Sequence, residues 1–303
     1  MRSRGGFTLI ELLIGLTLGL MVGGLASRQL LVSRRLVRAQ TERAAMQENV
    51  RVAALVVAGE LGGIGYDEVT PPAAAVLGLP VAVRSDLLAI APGAVTYLAG
   101  RGSGHVCAVV SGPLSTIVVE QSSWTSLRAP RATDSLLVFV EGDPASGADD
   151  AWIHLGVLSA AGTACPDGAP ATEIRIGVPA PLGLGALAGI TRGSPVRLVE
   201  VMQLRYYASG GHSWFGLRSV SAAEAITPVA GPLADSTGGV RGLTLRYRDA
   251  EDGVTSDPAA VRTIEVTLLG VTDQPIHGPD VRLAQVDTFA LTLRVAPRNV
   301  PRP

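Results

Sequence analysis

The 303-residue chain contains no lysine, so arginine supplies all 25 of its basic side chains. With 26 acidic residues the formal net charge is −1, and this balance gives no indication of nucleic acid as an obligatory partner. Aromatic residues make up only 4% of the chain. We therefore expect Trp124, Trp152, Tyr206, Tyr207 and Trp214 to be core or cross-strand partners, with an exposed contact patch as the alternative.

Cysteine is also scarce, with only Cys107 and Cys165 present. In an oxidising compartment such a pair most simply forms a disulfide closing a loop of about sixty residues, and two buried free thiols are the alternative. His105 lies beside Cys107, but the remaining ligands and the spacing of a zinc site are missing.

Catalytic patterns are absent as well. Single histidines stand at positions 105, 154, 212 and 277. Gly183, Gly185 and Ala188 have the spacing of a dinucleotide-binding motif, but they follow Pro-Ala-Pro and open no strand–helix unit. We expect no enzyme and no cofactor.

The most informative stretch is residues 7–26, FTLIELLIGLTLGLMVGGLA, which contains one charge, Glu11. Twenty such residues are long enough to cross the hydrocarbon core of a bilayer as a helix. The apolar region of an ordinary secretory signal is shorter and is removed by cleavage. An acid inside an apolar span is costly and is a functional hypothesis by default.

Gly5-Gly6, the word FTLIELLIG and a glutamate five residues after Gly6 together resemble the class III signal of type IV pilins and type II secretion pseudopilins. The resemblance implies that prepilin peptidase cuts between Gly6 and Phe7, that Phe7 is then N-methylated, and that the apolar segment stays on the mature protein. It also implies that Glu11 contacts the amino terminus of a neighbouring subunit during assembly. An acid tolerated near the interface is the alternative.

A helical pattern continues to Leu61, because apolar residues recur every three or four positions until Gly62 and Gly63. Arginines 28, 34, 35 and 38 follow the span, whereas only Arg2 and Arg4 precede it. A positive-inside count would therefore place the long domain in the cytoplasm. The resemblance implies the opposite, with the head in the periplasm.

The segment 46–68, MQENVRVAALVVAGELGGIGYDE, is similar to PilW-type minor pilins, in which a QEN-R-A word leads through a helix to a G-Y ending. This chain departs from that pattern at residues 58–61, AGEL, where those proteins usually carry an arginine–aspartate pair.

After Tyr66 the pattern changes to alternating residues separated by turn signals, which predicts antiparallel strands. We predict strands at residues 87–91, 116–121, 134–140, 151–158, 172–178, 196–208, 214–220, 240–248, 260–270 and 286–295. A hairpin is predicted to turn at Ser209-Gly210-Gly211, and a second begins at residue 242. The predicted class is α+β: leader 1–6, transmembrane segment 7–26, amphipathic continuation 27–61 and β-rich head 66–303.

Asp249, Glu251 and Asp252 precede Gly253, and oxygen ligands at such positions can hold calcium. Only part of the loop is present, and a solvated hairpin tip is the alternative, so we expect no metal.

The resemblance implies a non-catalytic minor pilin that helps to assemble, prime or cap a type IV pilus. Its partners would be other minor pilins, the major pilin, prepilin peptidase and the inner-membrane assembly platform. It would be stored as a single-pass inner-membrane protein and move into the pilus on assembly. A J-like minor pseudopilin at a type II secretion tip and a pilus-mounted adhesin are the alternatives.

Overall fold

One α-helix, thirteen strands and two short 3-10 helices, Leu184–Gly189 and Pro258–Ala260, form the described part of the chain in a computed structural model. The described residues are 8–64, 86–110, 115–126, 128–142, 145, 151–177, 184–235, 241–276 and 284–297. The helix precedes an antiparallel sheet that builds the head. The predicted α+β class is confirmed.

Helix α1 runs from Leu9 to Gly62, 54 residues, which is about 81 Å at 1.5 Å per residue. Its first thirty residues are exposed, and burial begins at Ala39. At 100° per residue, all of its buried side chains fall within an arc of about 80°. These are Ala39, Met46, Val50, Ala53, Val57 and Leu61. The second half of the helix therefore packs one narrow face on the head.

The strands follow in the order β1 (Leu87–Ala91), β2 (Ala94–Val110), β3 (Thr116–Glu120), β4 (Thr125–Ser126), β5 (Ser135–Val140), β6 (Ala151–Ala164), β7 (Pro170–Gly177), β8 (Pro195–Ser209), β9 (His212–Ser219), β10 (Thr227–Leu233), β11 (Leu243–Arg248), β12 (Thr263–Val271) and β13 (Thr288–Val295).

Six strands close into a small antiparallel barrel. β2 pairs with β3, and the ladder continues through β7, β6 and β5 to β8, which returns to β2. Apolar side chains fill its interior, among them Ile117, Leu136, Ile153, Ile174 and Leu198, all fully buried. Closure leaves these six strands with few free edges.

Most of the remaining strands belong to a sheet that packs against the helix, whereas β4 pairs with β2 beside the barrel. The first half of β2 and the second half of β8 pair with each other, and β9, β10, β12 and β13 extend the sheet from β8. β11 pairs with β12. Val50 and Val57 of the helix share this core with Tyr97, Phe215 and Val266. Because β2 and β8 belong to both parts, the barrel and the helix-packed sheet form one continuous head.

All ten predicted strands overlap observed ones, but β2, β4 and β10 were missed. The predicted hairpin joins β8 to β9: Ser209 pairs with His212, and Gly210 and Gly211 have φ of 63° and 80°. Such positive φ values are what a two-residue hairpin turn requires, and glycine adopts them without strain. The predicted strand ends at Val178 and Val240 lie outside the described residues.

Candidate anchoring and assembly segment

The first part of α1 exposes an apolar surface with a single charged side chain, Glu11. From Leu9 to Leu25 its large apolar side chains are all at least 53% exposed. The helix is long and apolar enough to cross a membrane, and none of its most apolar window is buried within the chain. An exposed apolar surface of this size needs lipid or another chain to cover it.

Glu11 and Thr8 cap the start of this helix reciprocally. The Thr8 backbone N–H donates to Glu11 Oε2 at 2.9 Å, and the Thr8 hydroxyl donates to the same oxygen at 3.0 Å. The Glu11 backbone N–H in turn contacts Thr8 Oγ1 at 3.4 Å. The Glu11 carboxylate therefore accepts two hydrogen bonds within its own chain. Sequence reasoning missed this role, although T-x-x-E before an apolar run is the capping-box signal.

Polar groups join the helix to the head at residues 42–50, near the start of the buried face. Arg43 Nε lies 2.7 Å from Asp287 Oδ2, and the Asn49 amide donates to the Gly231 carbonyl at 2.8 Å. The hydrogen bond from Arg43 lowers the pKa of the Asp287 carboxyl. Nearby, a Cβ on Gly270 would lie only 2.4 Å from Val50 Cγ2. Glycine at this position of β12 therefore lets the helix approach the sheet.

A partly buried chain of charges fixes the other end of the helix. Arg101 on β2 contacts Glu60 at 3.5 Å and Glu200 at 3.0 Å. Arg128 joins Glu200, at 3.1 Å, to Asp134, at 2.6 Å. We call Glu60, Arg101, Glu200, Arg128 and Asp134 the charge chain. It runs from the last turn of α1 into the barrel, so it couples the helix to both parts of the head.

Tyr97 completes this junction. Its hydroxyl donates to Glu60 Oε2 at 2.6 Å, and its ring is fully buried. Burial and the neighbouring Glu60 carboxylate raise the pKa of the Tyr97 phenol. The phenol therefore remains a hydrogen-bond donor. Glu60 belongs to the AGEL segment, so the departure noted in the sequence places an acid at a contact between helix and head.

The other predicted site residues are dispersed. Cys107 and Cys165 are joined as a disulfide on the barrel. Asp249 Oδ1 accepts the backbone N–H groups of Glu251 and Gly253 at 3.2 and 2.7 Å, so it closes the hairpin tip itself. Asp252 faces Arg248 and Arg294, each at 3.7 Å.

Within the described ranges no group of three or more His, Cys, Asp or Glu side chains could hold a metal ion. Gly6 and Phe7 lie outside the described residues. The predicted aromatic contacts include an edge-on packing of Trp152 against Phe139, and the Tyr206 hydroxyl lies 2.7 Å from Ser213 Oγ.

Comparison with known proteins bears on this N-terminal segment. Residues 1–27 match the family model for the prokaryotic N-terminal methylation motif. Neither the curated proteins nor the solved structures contain a match to the chain.

The match supports a type IV pilin-like prepilin signal at the start of the chain. The exposed apolar helix next to it fits the single-pass membrane anchor typical of prepilins. Proteins with this motif are typically structural, and the motif suggests processing by prepilin peptidase and assembly with other pilins.

Proposed function

We propose that this chain is a PilW-like minor pilin, a non-catalytic subunit that primes or caps a type IV pilus from the inner membrane. The observation that carries the proposal is the methylation motif at residues 1–27, followed directly by an exposed apolar helix. In this proposal prepilin peptidase cleaves after Gly6, Phe7 becomes the methylated amino terminus, and the helix moves from the bilayer into the fibre with the head in the periplasm.

The position of the barrel supports a place at the fibre end. Glu60, in the last turn of α1, contacts Arg101, and β2 continues from Arg101 into the barrel. The described helix residues pack in the core of the sheet and none belongs to the barrel core, so the barrel extends the head on the side of the last helical turn, away from the apolar segment. The helix of such a subunit can pack against the helices of the subunits nearer the membrane. Its barrel then occupies the space that the next subunit at the fibre end would fill.

Glu11 is the proposed assembly contact. In the single chain its carboxylate is satisfied by Thr8. Cleavage produces a positively charged amino terminus. The Glu11 carboxylate of one subunit can then pair with the amino terminus of a neighbouring subunit, because attraction between opposite charges in an apolar fibre core is strong. Capping and assembly thus use the same oxygens at different stages.

A Glu11→Leu variant tests this role. We expect it to insert into the membrane normally but to be missing from sheared, purified fibres. Thr8→Ala is the matched control: it removes the hydroxyl that donates to Glu11 and retains both the backbone N–H donor and the carboxylate, so it should still enter fibres. Normal incorporation of Glu11→Leu would refute the assembly role, and equal loss in both variants would show that Glu11 acts only as a cap.

A deletion strain separates the alternatives. Loss of pili with normal enzyme secretion supports the pilus assignment, and the reverse identifies a J-like pseudopilin. Normal numbers of pili that no longer attach to surfaces would identify an adhesin instead.

A further inference from the structure

Four arginines occupy one side of the helix just beyond the apolar segment. Arg28, Arg34, Arg35 and Arg38 are all exposed. At 100° per residue they fall within an arc of about 120°. We call these four residues the basic collar.

The collar fills the interval between the membrane segment and the head. The apolar stretch ends at Ala26, and Ala39 is the first helix residue buried against the head. At 1.5 Å per residue, the Cα atoms of Arg28 and Arg38 lie about 3 and 18 Å beyond Ala26. The headgroup layer on each side of a bilayer is about 5–8 Å thick. The collar therefore begins in the headgroups, and the Cα atom of Arg38 lies about 10–13 Å beyond their outer surface, slightly more than one Debye length of roughly 8 Å.

Helix geometry directs these side chains toward the lipid. The Cα–Cβ bonds of an α-helix tilt toward its amino terminus, and long side chains follow that direction. The amino terminus of α1 is the membrane end, so the guanidinium groups of Arg34, Arg35 and Arg38 lean back toward the headgroups. Arginine also binds phosphate oxygens through two parallel hydrogen bonds.

The first acid after the collar along the helix is Glu42, four residues beyond Arg38. The sequence contains no Asp or Glu between Glu11 and Glu42. Within the described residues none of the four arginines forms an ion pair, whereas Arg43, one turn further along, pairs with Asp287. Four positive charges that form no ion pair in the described part of the chain complement a layer of lipid phosphates.

We propose that the basic collar binds the headgroups of anionic phospholipids and thereby holds the stored subunit at a fixed depth in the membrane. This inference requires only that the helix anchors the chain in a membrane. It does not depend on the proposed minor-pilin function of the head. A positive-inside count would place these arginines in the cytoplasm. Binding to lipid headgroups gives a reason for them to lie on the same side of the membrane as a periplasmic head.

The test uses the full chain in detergent, mixed with equal amounts of phosphatidylglycerol and phosphatidylcholine, with bound lipid counted by native mass spectrometry. We expect the wild type to retain phosphatidylglycerol preferentially. Because each arginine near an anionic surface adds to the attraction, replacing all four collar arginines by glutamine should reduce this preference about tenfold or more. Raising the salt to about 0.5 M should weaken the preference in the wild type.

The matched control changes four exposed arginines outside the collar to glutamine, at positions 51, 205, 241 and 246. It removes the same total charge and should retain the preference. Equal retention of both lipids by the wild type, or equal loss in the collar and control variants, would overturn the proposal. A collar-dependent affinity for a short DNA duplex without lipid preference would also overturn it. Circular dichroism of each variant shows that the helix and head remain folded.

Discussion

Glu200 offers the sharpest test of how the helix and head are joined. Its side chain is 5% exposed and lies between Arg101 and Arg128 at 3.0 and 3.1 Å. In Glu200→Gln the shape is retained and the charge is lost, so two partly buried guanidinium groups face a neutral amide. Hydrogen bonds to charged groups contribute about 1.5–3 kcal/mol each, and an amide oxygen can preserve part of one. We expect the free energy of unfolding to fall by about 3 kcal/mol.

Urea unfolding of the full chain in mild detergent measures this loss. All three tryptophans lie in the head, at positions 124, 152 and 214, so their fluorescence reports on the head alone. With a slope of about 1–3 kcal/mol per molar urea, the midpoint should fall by about 1 M or more. Glu173→Gln is the control, because Glu173 makes the same type of contact with Arg175 at 3.5 Å but both side chains are substantially exposed. The Glu173→Gln substitution should lower the free energy of unfolding by less than about 1 kcal/mol. Equal costs for the two variants would refute the stabilising role of the charge chain.

In the wild type, low pH removes the charge of Glu200 by protonating its carboxylate. Burial acts to raise the pKa of Glu200, but hydrogen bonds from Ser219, Arg101 and Arg128 outweigh it, so the pKa lies below its ordinary value of 4.5. A carboxyl with a lowered pKa contributes its full stability above pH 4.5 and loses it as the pH falls through the folded-state value. The difference between the wild type and Glu200→Gln should therefore shrink below pH 4.5. A constant difference down to pH 2 would contradict this assignment.

Two further variants test the packing. Gly270→Ala places a Cβ 2.4 Å from Val50 Cγ2, so it should lower the free energy of unfolding by about 1–3 kcal/mol; Gly162→Ala, where a Cβ has no neighbour within 4 Å, should be nearly neutral in the same urea experiment. Changing Cys107 and Cys165 together to serine opens a loop of 58 residues. The chain-entropy model therefore predicts that the free energy of unfolding falls by about 4 kcal/mol. A melting temperature unchanged by the double substitution would contradict this prediction.

The sequence predicted the helix and most of the strands because their signals are local. The apolar spacing of α1 persists up to two glycines, and strands such as β12 alternate strictly between buried and half-buried residues. The predicted hairpin at Gly210-Gly211 required only its turn residues and the alternation on either side.

The missed strands carry signals that normally mark loops. β2 contains three alternating glycines, Gly100, Gly102 and Gly104, which read as a break in a strand. The structure shows why two of them are needed: a Cβ on Gly102 would lie 2.9 Å from Ser126, and one on Gly104 would lie 2.8 Å from Trp124. β10, with the sequence TPVAGPL, contains two prolines, which argue against a strand interior.

The barrel and the charge chain could not be predicted, because both depend on pairings between distant residues. β2 meets β8 about a hundred residues later in the chain, with Ala94 opposite Arg205. Glu60 and Glu200 look like ordinary surface acids in the sequence, and only the shared contact with Arg101 gives them a role. The place of Glu11 in an apolar run predicts a functional acid, whereas its contact with Thr8 follows from the T-x-x-E spacing, which was missed.

We propose that the amino-terminal segment is a prepilin signal that is cleaved after Gly6 while its apolar helix is retained. Mass spectrometry of the amino-terminal peptide of the protein isolated from the membranes of its native host tests this most directly. We expect a mature chain that begins at N-methylated Phe7 and still contains the whole apolar helix. A chain that keeps residues 1–6, or one cleaved beyond the apolar stretch near Ala26, would contradict it.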